Sequence, residues 1–323
     1  MTVALGLLLV GVLVQASPQS SAGPPASREE VPGMALIPAG EFWMGRTHMF
    51  MFDELSWTAR ARLDDQPARP VFVDAFYMDK YEMTTIDYAK FVDATKHATP
   101  WNWKDGKVNP GQERWPVYNV SWDDATAYCT WVGKRLPTEA EWEKAARGGL
   151  DKKLYPWGDV FEPEAKDEST ATPAAAPAPA PAPDPAPATA PAAAVAPAAT
   201  ADANRPARKT IKQARYGFPN GPVPVGSFQP NGYGLYDVIG NVWEWIADWY
   251  SQDYYPIAPS KNPRGPETGK YRVLRGGGWA TNEEGGGQRA LLGVHYRNYA
   301  PGDQTSNVVG FRCAKDAAPK SQP

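Results

Sequence analysis

The chain has 323 residues, 42% of them hydrophobic, enough to bury a substantial core in one or two domains. Its net charge of −3 and the lack of any Lys/Arg cluster argue against an electrostatic grip on nucleic acid. With 13 Trp, 15 Tyr, 29 Gly and 34 Pro, long helices are not expected; aromatic rings should fill the interior of a loop-rich fold.

From the N-terminus, an unbroken apolar run spans Val3 to Val14 and leads into Val14-Gln15-Ala16. It reads as a secretory signal over residues 1–16. The run is short for a membrane span, and no Cys follows to take a lipid. A secreted or periplasmic protein is therefore expected, with no integral membrane domain beyond this segment; the alternative is retention by an uncleaved N-terminal anchor. Residues 17–30 form a polar tether. Globular patterning then runs over residues 31–316, leaving 317–323 as a tail.

Within the globular part, strand-like runs fall at Met34 to Ile37 and Val71 to Tyr77. Thr84-Thr85-Ile86-Asp87 resembles a capping box and opens a helix to about Lys96, with Ile86, Ala89, Val92 and neighbouring aromatics on its inner side. Ser121-Trp122-Asp123-Asp124 opens a second helix to about Val132. Thr138-Glu139-Ala140-Glu141 opens a third, which Gly148-Gly149 closes. Residues 163–206 are dominated by Pro-Ala repeats such as Pro177-Ala178-Pro179-Ala180. Proline removes backbone donors and alanine offers little surface to bury, so this stretch is expected to be a disordered insertion without a core; a domain linker is the rival reading. Two further strand-like runs follow, Val223 to Phe228 and Tyr271 to Leu274. The class is α+β.

Each half flanking the insertion carries one of the two cysteines, Cys129 and Cys313. In an oxidising compartment they are expected to pair, at roughly 5 kcal/mol by chain entropy; two free buried thiols are the alternative. Asn119-Val120-Ser121 matches a glycosylation sequon, but Ser121 is better explained as a helix cap.

The string Val120-Ser121-Trp122-Asp123-Asp124-Ala125, continuing through Cys129 to Gly133-Lys134-Arg135-Leu136-Pro137-Thr138-Glu139-Ala140-Glu141-Trp142-Glu143, resembles the formylglycine-generating enzyme, or sulfatase-modifying factor, family. Further matches are Ile37-Pro38-Ala39-Gly40 with Met44-Gly45, Gly234-Leu235-Tyr236-Asp237, Gly240-Asn241-Val242-Trp243-Glu244-Trp245, Arg275-Gly276-Gly277-Gly278-Trp279, and Gly310-Phe311-Arg312-Cys313. The resemblance covers about residues 31–316, apart from the insertion and an enlarged loop around Arg46 to Asp64. It implies one compact, C-type-lectin-like α+β domain, with a disulfide where Cys129 and Cys313 stand.

Asp237, Gly240, Val242 and Glu244 can present two carboxylates and two carbonyls to one ion, an oxygen set suited to calcium; the family places a structural calcium at the matching positions. The rival is that Glu244 accepts backbone hydrogen bonds in a turn. The family's other calcium site has no acidic match after Asn204. Three His and two Cys leave too few ligands for zinc.

The family's enzymes hold copper(I) between two active-site cysteines and oxidise a cysteine of sulfatases, chemistry that depends on soft thiolate sulfur. Here Thr281 or Glu284 stands for the first cysteine, Gly286 or Arg289 for the second, and Gly278 replaces the motif serine. Copper is therefore disfavoured. A cleft floored by Trp279 and lined by His295, Tyr296 and Arg297 remains as a site for a peptide or small ligand. His295, with no identifiable partner, reads first as structural. Arg135 and Arg312 read first as ion-pair elements. The expectation is a peptide- or ligand-binding accessory protein. The alternatives are a divergent oxidoreductase of the same superfamily, working with other residues, and an envelope structural component.

Overall fold

The computed structural model describes residues 30–47, 64–160, 214, 221–281 and 291–317. The expected signal, tether and insertion lie outside this set, apart from Glu30. The chain divides into two units, Met1–Pro32 and Gly33–Pro323, and the second carries the architecture.

The fold is α+β, with three α-helices, two short 3-10 turns and three small sheets among the described residues. Strands β1 (Met34–Ile37) and β9 (Ala314–Asp316) flank β4 (Phe76–Asp79), both antiparallel to it. Strands β2 (Gly40–Met44) and β3 (Arg69–Val73) form a hairpin-like pair. The third sheet runs β7 (Asn298–Ala300), β6 (Arg272–Arg275), β5 (Trp243–Trp249), β8 (Val309–Gly310), with β5 and β8 parallel.

The helix starts follow from local chemistry. In α1 (Thr85–Thr95) the Thr84 hydroxyl accepts from the Asp87 amide. In α2 (Trp122–Trp131) and α3 (Glu139–Arg147) both halves of a capping box form, Ser121 with Asp124 and Thr138 with Glu141. Gly148, at φ 59°, ends α3 in the left-handed conformation. Ser121 is thus occupied as a cap, and Asn119 is buried, its side-chain amide donating to Asn102 at 2.9 Å.

Three local expectations are corrected. Ile86 faces solvent at 41% exposure; the inner face of α1 is Thr85, Tyr88 and Phe91, with Ala89 and Val92 packed beside them as expected, because the bulkier aromatics at i, i+3 spacing take the core. The Val71 to Tyr77 run breaks at Asp74, whose amide donates to the Asn262 side chain, and the chain changes sheets there. Val223 to Phe228 is not a strand: Pro222 and Pro224 flank Val223 without donors, and Gly226 turns at φ 80°.

Two packed clusters form the interior. One gathers Ile37, Met78, Trp142, Ile246 and Val273 between α3 and the sheets. The other is aromatic: Tyr88 packs within 5.4–6.3 Å, centroid to centroid, of Phe91, Tyr128, Trp103 and Phe311. Cys129 and Cys313 lie in this second cluster and are joined by a disulfide that spans 184 residues.

Candidate functional site

Two buried polar assemblies and one part-exposed surface bear on function. The first centres on Arg312, fully buried at the start of the segment leading into β9. Its Nε lies 2.9 Å from both oxygens of Glu244 on β5, and its Nη2 donates to the Tyr236 carbonyl. Glu244 also accepts from the Trp142 indole at 2.8 Å. Glu244 therefore sits in a strand, held by side chains, and not in a turn held by backbone donors.

Beside it the chain from Asp237 to Val242 is tightly coiled, with positive φ at Asp237, Gly240 and Asn241. Asp237 accepts from the Gly226 amide through Oδ2, while its Oδ1 is buried without a hydrogen-bond partner. Glu82, buried just before α1, accepts from the Asn241 side chain and the Val242 amide. Three carboxylates thus surround one guanidinium. Burial, with Asp237 and Glu244 adding repulsion, raises the Glu82 pKa well above its ordinary value. Burial lifts Asp237 to about 6, opposed by the Gly226 amide and Arg312. Among the described residues no three His, Cys, Asp or Glu side chains converge as a metal-binding group.

The second assembly is built on α3. Glu143, with 0% exposure, accepts from the Gly45 amide at 2.8 Å, from Arg147 at 2.6 Å and from Arg275 at 2.6 Å. Arg275 also donates to the carbonyls of Val294, His295 and Tyr296. Arg297 holds Glu139 at 2.7 Å and donates to the Asp64 carbonyl. His295 faces Asp65 at 2.8 Å through Nδ1, and Asp65 also accepts from Arg46 at 3.2 Å. The partner that sequence does not identify for His295 is thus Asp65, 230 residues away. Burial pushes the His295 pKa down, with Asp65 opposing, which favours the neutral ring.

Of the four cleft candidates, Trp279 and Tyr296 are part-exposed, whereas His295 and Arg297 are buried at 2% and 1% exposure. The Trp279 indole donates to the Asn307 carbonyl, and Tyr296 packs 6.1 Å from Trp243. The structure thus brings His295 and Arg297 into the charged core and leaves Trp279 and Tyr296 nearer the surface. Arg135 bonds Glu141 and Asp316, tying α3 to β9.

Thr281 is buried, its hydroxyl accepting from the Gly278 amide at 3.1 Å. Glu284, Gly286 and Arg289 lie outside the described residues. A Cβ on Gly278 would meet Trp243 Cδ1 at 3.1 Å and the Val308 carbonyl at 3.2 Å, so this packing is built around the absence of a side chain. Both sulfurs of the chain's two cysteines are in the disulfide, which leaves no thiol anywhere in the sequence.

Compared with known proteins, residues 19–317 match the sulfatase-modifying factor enzyme 1-like domain. The formylglycine-generating enzyme of Mus musculus is 32% identical, over 88% of this chain and 76% of that protein. The inactive C-alpha-formylglycine-generating enzyme 2 of the same organism is 30% identical, over 88% of this chain and 86% of that one. Among solved structures, PvdO from Pseudomonas aeruginosa superposes with a TM-score of 0.60 at 24% identity, covering 88% of this chain and 94% of the other.

Proposed function

Because the chain belongs to the sulfatase-modifying factor enzyme 1-like family, we propose that it is an exported, accessory member that binds a peptide or small ligand and does not carry out copper-thiol oxidation. The observation that carries this reading is sulfur: two cysteines, both consumed by one buried disulfide. Copper(I) wants soft thiolate donors, and the residues present do not fit it. Export is supported by the same bond, since buried structural disulfides belong to oxidising compartments. The 30% identity to a relative named as inactive is consistent with this reading.

Calcium is the structural ion we propose. Asp237 Oδ1 is a buried carboxylate oxygen with no donor, in a nest where three carboxylates face one arginine. Such a hard, unpaired oxygen suits calcium, with the Gly240 and Val242 carbonyls as further ligands; Glu244, its oxygens held by Arg312 and Trp142, adds negative charge beside the ion and not a free ligand atom. Bound there, the ion would neutralise the nest and fix the 237–242 coil beneath Trp279, whose amide donates to the Asn241 carbonyl at 2.7 Å.

The test has two arms. A metal inventory of the purified protein is expected to return calcium without stoichiometric copper or iron; either transition metal at one per chain would favour the oxidoreductase alternative. A sulfatase peptide incubated with the protein, copper(I) and air is expected to keep its cysteine, and formylglycine in the product would overturn the proposal.

A further inference from the structure

A cavity of about 450 Å³ opens beside the β2–β3 pair. Among the described residues its lining includes Trp43, Arg46, Gln66, Pro67 and Lys152, two of them cations, and no carboxylate. The volume is about fifteen times a water's share of the liquid, and it falls within the roughly 300–1,000 Å³ of pockets that hold small organic molecules.

One wall is pinned by hydrogen bonds. The Trp43 amide donates to Asp151 at 2.9 Å, and the Thr47 hydroxyl donates to the Lys152 carbonyl at 3.1 Å, so β2 and the residues just after it are tied to the turn after α3. Lys152 is held in the left-handed region at φ 62°. Its ammonium lies 4.0 Å from the centroid of the Trp43 ring, and no ion pair of Lys152 is seen among the described residues. Arg46 is already bonded to Asp65, which leaves Lys152 as the charge the cavity offers.

An aromatic wall, a proline and an ammonium paired only with a π face are a binding surface for an anion with an apolar body. An inorganic ion would leave most of the volume and the ring unused. We propose that this cavity binds a small aromatic carboxylate, its ring along Trp43 and Pro67 and its head group on Lys152. The site shares no residue with Trp279, Tyr296 or the 237–244 nest. It does not rest on the accessory reading, and neither result decides the other.

The probe is 4-fluorobenzoate followed by ¹⁹F NMR with the full chain, against 4-fluorobenzamide, its neutral counterpart. The benzoate resonance is expected to broaden and shift saturably, and the amide to bind at least tenfold more weakly. Lys152→Gln, at an exposed position, should weaken benzoate at least fivefold, and Trp43→Leu should abolish binding. Should Trp43→Leu fail to fold, Trp43→Phe keeps a ring and should retain measurable affinity, while Lys152→Gln still tests the charge. No saturable benzoate binding, equal binding of the two probes, or undiminished binding in Lys152→Gln would each overturn the proposal.

Discussion

Replacing both half-cystines, Cys129→Ala with Cys313→Ala, should cost about 5 kcal/mol of stability. The bond closes 184 residues of chain, and joining the ends of so long a loop removes about 18 cal/mol/K from the unfolded ensemble, or about 5 kcal/mol at 25 °C. Both side chains have 0% exposure in the aromatic cluster, so the missing sulfurs should add about 1 kcal/mol from lost packing. The same logarithm predicts that the Pro-Ala stretch hardly matters to this term. Deleting residues 163–206 shortens the loop by about 44 residues and changes the disulfide's contribution by only about 0.2 kcal/mol. Urea titration of four proteins, with and without the deletion and with and without the disulfide, measures both effects as unfolding free energies extrapolated with each protein's own slope, since removing the cross-link also expands the unfolded state. A disulfide contribution below about 1 kcal/mol, or one halved by the deletion, would refute the chain-entropy reasoning.

Removing the Glu143 carboxylate as Glu143→Ala leaves Arg147 buried without its ion-pair partner and Arg275 with only the longer 3.5 Å contact to Glu139, and should destabilise the fold by roughly 3–5 kcal/mol; chemical denaturation showing less than about 1 kcal/mol would contradict this. Burial pushes Lys144 down to about 8 from an ordinary 10.5, with Asp74 opposing. Below about 8 the amine is charged whether the chain is folded or not. Between about 8 and 10.5 the folded state binds fewer protons than the unfolded one, so stability should climb with pH across that window. Lys144→Met should lack this increment, and parallel stability-versus-pH curves for the two proteins would count against it. Asp237→Asn should remove most of the rise in thermal midpoint produced by millimolar calcium; an unchanged rise would place the ion elsewhere.

What the sequence disclosed was mostly local. Ser121 with Asp124 and Thr138 with Glu141 act over three residues, so both helix starts are legible from neighbouring letters. The disulfide is legible because only two cysteines exist to be paired. The charged core is not. His295 meets Asp65 across 230 residues and Arg275 meets Glu143 across 132, and nothing in either flanking sequence names the partner. Glu82 is illegible for the same reason: its signal in the sequence is a lone acid between Tyr81 and Met83, and only the packed coil at Asn241 shows why it is there. Strand β5 shows in the sequence as a motif and not as an element, because charged and indole side chains interleave along it. Its carboxylates are stabilised by Arg312 and by the Glu139 amide, contacts that cross from other sheets and helices.

The place of β9 sets the timing of the chain's assembly. Strand β4 is the middle of its sheet, yet one of its two neighbours begins only at Ala314. A ribosome adding 5–20 residues per second reaches that neighbour roughly 12–47 s after finishing β4. Throughout that interval one edge of β4 is bare, Arg135 lacks its backbone bridge to Ala314, and Cys129 has no mate. The last strand is the one that completes this sheet and carries the chain on from Cys313, the partner of Cys129.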